Sequence, residues 1–449
     1  MTNKNNRESG EDYRVSEQLE NVQYPRQKYP TGGRFEELHP HQSNWDLLNK
    51  YEKIMGVDFN VGQGHNSIVR DVSFHTEMIR KNWAFEQHSL RNKSPTYDEL
   101  VSPLHRSRGT LLGLFCGDAL GRPVEFMSPE EISEKHGLLT DMVGDGSHRQ
   151  EAGTLTDDSD QTIRLVENLI ENNGFNPEHY AEQLINWYES DPFDVGITTR
   201  NSIVNLRDGY NHNEAGHETL ESMGPSRAAG NGSIMRCAPL AIAYPDNVEK
   251  LIETSKTMSE ITHADPRCTY GCAALNLILA KLIREGNNNP ISHAIKNLPP
   301  EAPEELIDML NKVKEGETQE LDTSGYVIST LETALHIGLN CGNIENGMIT
   351  AVNQGGDTDT ITAITGAIAG ARFGAAFPLL KREDIWLKLK KNKIADLERE
   401  EDTIPYRWSK KIKINTDENE MSAFNYARIR ADELLERPHI MSQFDNNRN

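Results

Sequence analysis

The chain has 449 residues, a formal net charge of −22 and an apolar fraction of 36%. That length is enough for a large core, and the modest apolar fraction leaves part of it in extended or unstructured chain. An acidic body repels phosphate backbones, so general nucleic-acid binding is excluded, and a polyanionic ligand would need metal ions or backbone N–H groups to hold it.

The first 50 residues carry seven basic and eight acidic residues, so nearly all the acidity lies downstream. Residues 1–45 are polar and include the stretch YPRQKYPTGG, whose prolines and glycines break regular structure. They read as an arm that folds on a partner. Residues 46–100 carry a weak helical period through Trp45, Leu47, Leu48, Tyr51, Ile54 and Met55. The start, MTNKNNRESGED, has no apolar run of the secretory kind. The boundaries expected are an extension over 1–105, a body over 106–436 and a polar tail over 437–449.

From residue 106 the pattern is helical. Segments are expected at Gly109–Leu120, Asp158–Ile170, Pro177–Tyr188, Leu251–Met258, Thr269–Glu285, Pro303–Lys314, Gly325–Leu339 and Thr360–Arg372. Two-residue alternation is rare, so the body is predicted to be all-α. The most apolar stretch, Ile361–Ala371, is rich in Gly and Thr and too short for a bilayer, which predicts no membrane span. The five cysteines are scattered and odd in number, which is no disulfide framework and no zinc set. A reducing, cytoplasmic setting is expected.

Two acidic stretches carry the chemistry. Thr156-Asp157-Asp158 opens an amphipathic helix, with Thr156 at the N-cap position and both carboxylates in the first turn. Taken alone it is also simply a good helix start. The second, Gly355-Gly356-Asp357-Thr358-Asp359-Thr360, precedes a helix whose small residues Ala363, Gly366, Ala367 and Gly370 imply close packing inside a bundle. Asp357 and Asp359, two apart, cannot share a helix face but can converge from a loop. A solvated, helix-capping turn is the bland alternative. Buried carboxylates are costly without a counter-charge, and oxygen-only ligands suit Mg²⁺ or Mn²⁺. Four carboxylates with two threonine hydroxyls would match two such ions, about 4 Å apart.

Smaller pieces are weaker alone. Gly230-Asn231-Gly232-Ser233, before an expected helical run, can aim N–H groups at a phosphate, or can be an ordinary turn. Glu125 leaves a helix in Gly117-Asp-Ala-Leu-Gly-Arg-Pro-Val-Glu-Phe126 and reads as surface. His263, in Thr262-His-Ala-Asp-Pro266, reads as structural, and Asp194 as part of a turn.

Taken in order, these five motifs resemble the ADP-ribosylglycohydrolases, over about residues 106–380. The resemblance implies an orthogonally packed helical fold around two Mg²⁺ ions held by Thr156, Asp157, Asp158, Asp357, Asp359 and Thr360. It implies that Gly230, Asn231, Gly232 and Ser233, with Gly355 and Gly356, line the ligand and that His263 borders its cleft. Glu125 and Asp158 would assist proton transfer, and Asp194 the ribose chemistry. The implied substrate is an ADP-ribosylated protein side chain. Family members that protect bacteria from ADP-ribosyltransferase toxins share this layout, with an extension that can plug the toxin. The competing readings are a non-catalytic partner-blocking protein with the same fold, and a Mg²⁺-dependent phosphoanhydride hydrolase.

Overall fold

A computed structural model describes residues 102–286, 288–318, 321–378, 400–402, 404–415 and 420–435. The polar extension and its weak helical period, and the tail over 437–449, lie outside these residues.

Helix α1, Pro103–Gly121, starts at Ser102, whose hydroxyl accepts from His105 N, with Pro103 at the first turn. A 3-10 turn, Arg122–Val124, and α2, Pro129–His136, follow. Next come α3 (Asp157–Glu171), α4 (Pro177–Glu189), α5 (Ile197–Arg207), α6 (Ala215–Met223) and α7 (Pro225–Ala228). The central run is α8 (Pro239–Ala243), α9 (Val248–Glu260), α10 (Pro266–Glu285), α11 (Pro290–Asn297) and α12 (Glu304–Glu315). The body closes with α13 (Val327–Asn340), α14 (Ile344–Val352) and α15 (Thr358–Phe373).

Two small antiparallel ribbons complete it. Strand β1 (Ala376–Pro378) pairs with β2 (Glu400–Asp402); the short α16 (Tyr406–Ser409) follows, and β3 (Lys413–Asn415) pairs with β4 (Glu420–Ser422). Helix α17, Ala423–Leu435, ends the described chain and lies on α1. The all-α expectation holds, and all eight expected helices form, most extended by one to three residues. Helices α2, α5, α6, α11 and α14 were not anticipated; each is short, and a helix of two or three turns shows too little apolar period to stand out.

The centre of the body is the α1–α15 pair. Gly109, Gly113, Gly117 and Gly121 recur every fourth residue and form one stripe of α1. A Cβ at Gly113 would stand 2.1 Å from Gly366 O, and one at Gly370 would stand 2.0 Å from Gly109 O. Gly117 and Gly121 meet Thr362 O and Thr358 O in the same way, at 2.2 and 2.3 Å. The two backbones therefore touch without side chains between them, which only glycine permits. Nearly every residue of α15 is buried. Arg106 at one end donates to the carbonyls of Ala371 and Arg372, and Thr358 Oγ1 at the other donates to Gly121 O at 2.9 Å. This seam sets the end of α1 beside the start of α15.

Candidate active site

Helix α3 delivers the first acidic stretch. Thr156 is its N-cap, and its hydroxyl accepts from Asp158 N at 3.3 Å. A carboxylate from α1 takes further donors of that helix start. Asp118 accepts from Thr156 N at 3.1 Å and from Ser159 N at 3.2 Å, and from the Ser159 hydroxyl. Capping from outside releases the Asp157 and Asp158 side chains from that duty. Burial pushes the Asp118 carboxyl up to about 7, against the pull of these hydrogen bonds. Asp118 was not singled out from the sequence. The available signal was a lone aspartate inside a run of small apolar residues.

Helix α15 delivers the second stretch. Gly355 and Gly356 take φ of +71° and +75°. A Cβ at Gly355 would stand 2.5 Å from Met127 O, and one at Gly356 2.3 Å from Thr323 Oγ1. The turn is stitched to its neighbours: Gly356 N donates to Met127 O at 2.9 Å, Phe126 N to Gly356 O at 2.8 Å and Asp357 N to Thr323 O at 2.9 Å. Asp357 thus sits just before the helix and Asp359 in its first turn, so residues two apart reach one point. Oxygens of Glu125, Asp357 and Asp359 lie within 4.8 Å of one another, a group able to hold a metal ion. Glu125 is buried in this cluster, not surface decoration.

The stretches from α3 and α15 meet. Thr360 Oγ1 donates to Asp158 Oδ2 at 3.3 Å, and Thr156 Oγ1 to the same oxygen at 3.4 Å. Asp158 Oδ1 is buried without a partner. Burial pushes Asp157, Asp158 and Asp359 well above the carboxylate range, and repulsion from neighbouring carboxylates, Asp194, Asp118 and Glu125 first among them, adds to it. Burial also raises Glu125 to about 8, with Asp194 and Asp357 adding to the shift. Such a set of hard oxygens, one of them orphaned, fits a divalent cation that would replace the missing positive charge. Asp157 is engaged on its other side, by Gln161 Nε2 at 3.3 Å and Gly196 N at 3.4 Å.

The Gly230–Ser233 loop abuts the cluster. Asn231 Nδ2 donates to Asp357 Oδ2 at 2.7 Å and to Thr330 Oγ1 at 3.0 Å. Its amide therefore braces a carboxylate, while its backbone N donates to Gly325 O at 3.1 Å. Ser233 is fully buried, and its hydroxyl accepts from Ser259 Oγ at 2.8 Å. The helical run expected after the loop is a series of turns, and α8 starts only at Pro239. Gly232 packs on His263: a Cβ there would stand 2.9 Å from His263 Cε1. Buried Arg236 donates to Gln161 and, at 2.7 Å, to Thr262 Oγ1, which pairs with His263 Nδ1 at 2.8 Å. Burial, with Arg236 adding, drives His263 down to about 3, so it is neutral.

At the mouth, His148 Nε2 lies 3.2 Å from Glu125 Oε2 and 3.8 Å from Asp194 Oδ2. Sequence reasoning missed His148, which sits in a polar loop with no local pattern to mark it. Buried Arg122 draws the loop 145–151 over α1 by donating to Asp145 O at 2.9 Å and Glu151 O at 3.0 Å. Among the described residues no helix is long and apolar enough to cross a membrane, and all five cysteines are free thiols.

Residues 100–403 match the family described as ADP-ribosylglycohydrolase. The chain is 32% identical over 279 residues to the ADP-ribosylarginine hydrolase Tri1 of Serratia proteamaculans, a match covering 60% of this chain and 72% of that protein. It is 32% identical over 270 residues to the ADP-ribosyl-[dinitrogen reductase] glycohydrolase of Rhodospirillum rubrum, covering 60% and 86%. A solved structure titled ADP-ribosylglycohydrolase-related protein complex superimposes with a TM-score of 0.55 at 26% identity, over 75% of this chain and 99% of that one.

Proposed function

The chain belongs to the ADP-ribosylglycohydrolase family and is an ADP-ribosylhydrolase, and on that premise we propose that it removes ADP-ribose from modified arginine side chains of proteins, with Mg²⁺ as the metal. The observation that carries the reading is the junction of Asp158, Thr360, Asp357, Asp359 and Glu125 in one buried cluster containing an orphaned carboxylate oxygen. Thr156, Asp157, Asp158, Asp357, Asp359 and Thr360 would hold two ions, with Glu125 within reach of the same space. The ions would supply charge neutralisation and Lewis-acid stabilisation of the reacting ribose.

The chain's own groups do the rest. Hydrolysis at the ribose C1″ builds positive charge on the sugar, and Asp194 at the mouth stabilises it. Glu125 Oε2, steadied by His148 Nε2, accepts the proton of the attacking water once the neighbouring carboxylates are neutralised. The backbone of Gly230–Gly232, pressed against neutral His263, offers close approach to a diphosphate without adding charge. One relative's name gives ADP-ribosylarginine as its substrate and the other's gives ADP-ribosylated dinitrogen reductase, which supports an ADP-ribosylated protein side chain as the substrate here. The extension before residue 106 is assigned to gripping a partner such as an ADP-ribosyltransferase toxin, in the cytoplasm.

The test is incubation of the full chain with arginine- and serine-ADP-ribosylated proteins, with and without Mg²⁺, and mass detection of the product. Free ADP-ribose from the arginine adduct, dependent on the metal, is expected. Phosphate or AMP as the product would refute the reading. Removing residues 1–100 should abolish toxin capture and leave hydrolysis; capture unchanged by the truncation would remove the extension's role.

A further inference from the structure

We propose that Phe126 and Phe193, with the carboxylates of Glu125 and Asp194 behind them, form an acceptor subsite that takes the guanidinium of the modified arginine. This rests on the arginine-hydrolase reading above and assigns it a specificity surface. Phe126 and Phe193 are 72% and 40% exposed, unusual for phenyl rings at the edge of a buried acidic cluster. Phe126 directly follows Glu125. Its backbone sits at φ +67°, a region that bulky residues avoid. The hydrogen bonds from Phe126 N to Gly356 O at 2.8 Å and from Met127 N to Val124 O at 3.0 Å impose it. The turn thus carries strain at an exposed ring next to Glu125, where glycine would adopt the same backbone freely.

Phe193 lies in the segment between α4 and α5, directly before Asp194. Its ring lies 5.1 Å from the His148 ring, centroid to centroid, at 52°. His148 in turn touches Glu125 and Asp194. Two exposed rings, each next in sequence to a carboxylate, thus flank the pair of carboxylates that His148 links. A planar cation satisfies both at once: its face lies on a ring and its N–H edge meets oxygen. A serine hydroxyl offers neither charge nor flat face. The arginine leaving group is therefore the occupant that this chemistry favours.

The experiment uses the full chain with Mg²⁺ and one peptide carrying ADP-ribose on arginine or, in its counterpart, on serine. Phe193→Ala and Phe126→Ala should each lower kcat/KM for the arginine peptide about tenfold, mostly through KM, and lower the arginine-to-serine ratio with it. Phe193→Tyr, which keeps an aromatic face, should restore it. Agmatine, a bare guanidinium probe, should compete with the arginine peptide on the wild type and lose potency on Phe193→Ala. Wild-type affinity for free ADP-ribose in the variants shows that the fold is intact. An unchanged ratio together with unchanged agmatine inhibition would overturn the subsite while leaving the hydrolase reading standing. A wild type that releases ADP-ribose from neither peptide would instead overturn the hydrolase reading itself.

Discussion

Thr360 Oγ1 donates to Asp158 Oδ2 at 3.3 Å although 202 residues separate them. That contact joins the starts of α3 and α15. Asp158 is buried, its second oxygen has no partner, and other carboxylates crowd it. Asp158→Asn should therefore show two opposite effects. Mg²⁺ affinity, read by calorimetry, should fall by about 100-fold or more, and hydrolysis with it. The metal-free variant should melt higher than the metal-free wild type, because a costly buried charge is gone. A metal-free variant that melts lower would remove the repulsion argument.

The acid–base behaviour of the cluster gives a second test. Glu125 is raised to about 8 and Asp118 to about 7, above their unfolded values of 4.5 and 3.8. The folded state thus binds protons more tightly than the unfolded one. Its stability from these groups is full at low pH and lost as pH rises through the folded values. Chelator-treated protein should melt at progressively lower temperature from about pH 5 to about pH 8. Mg²⁺ should flatten that slope and release protons on binding at neutral pH, detected as a buffer-dependent heat.

The glycine seam can be tested without touching the site. Gly113→Val places branched carbon where a Cβ would already stand 2.1 Å from Gly366 O. The helices must separate, at a cost of about 3 kcal/mol or more. Thermal melting should fall, and Mg²⁺ affinity should fall too, since the seam spaces Asp118 and Glu125 from Asp359.

His263 has the reverse sign. Burial lowers it from 6.5 to about 3, so the unfolded chain takes up the proton first as pH falls. Its contribution is intact above the unfolded value and drains away below it. His263→Gln should make the acid limb of a melting-temperature profile shallower between about pH 6.5 and about pH 5. An identical slope would mean that the ring is charged or exposed in the folded protein.

The long helices and both acidic stretches were legible because they are written locally. A helix of three or more turns repeats its apolar period, and Thr-Asp-Asp and Asp-Thr-Asp-Thr announce carboxylates in the open. Asp118 and His148 were not legible, because their roles are tertiary. Asp118 caps a helix 38 residues away, and His148 lies among Glu125, Asp194 and Phe193, which arrive from two other segments of the chain. Glu125 looked like surface for the same reason: only the turn at Gly355–Gly356, fastened to Phe126 and Met127, brings it to Asp357. The Ser233 hydroxyl is likewise a tertiary matter: Ser259 donates to it.

Glycine every fourth residue makes α1 a smooth rail, and a smooth rail does not choose its own stop. A slip by one helical turn, about 5.4 Å, would again set glycine against the facing carbonyls. What fixes the alignment is a latch at each end: Arg106 on the carbonyls of Ala371 and Arg372, and Thr358 Oγ1 on Gly121 O. The spacing of the clustered carboxylates is thus governed by two polar clasps, one of them, at Arg106, about four turns of helix from the cluster. Loosening that distant clasp would detune the enzyme while leaving every acidic side chain in place.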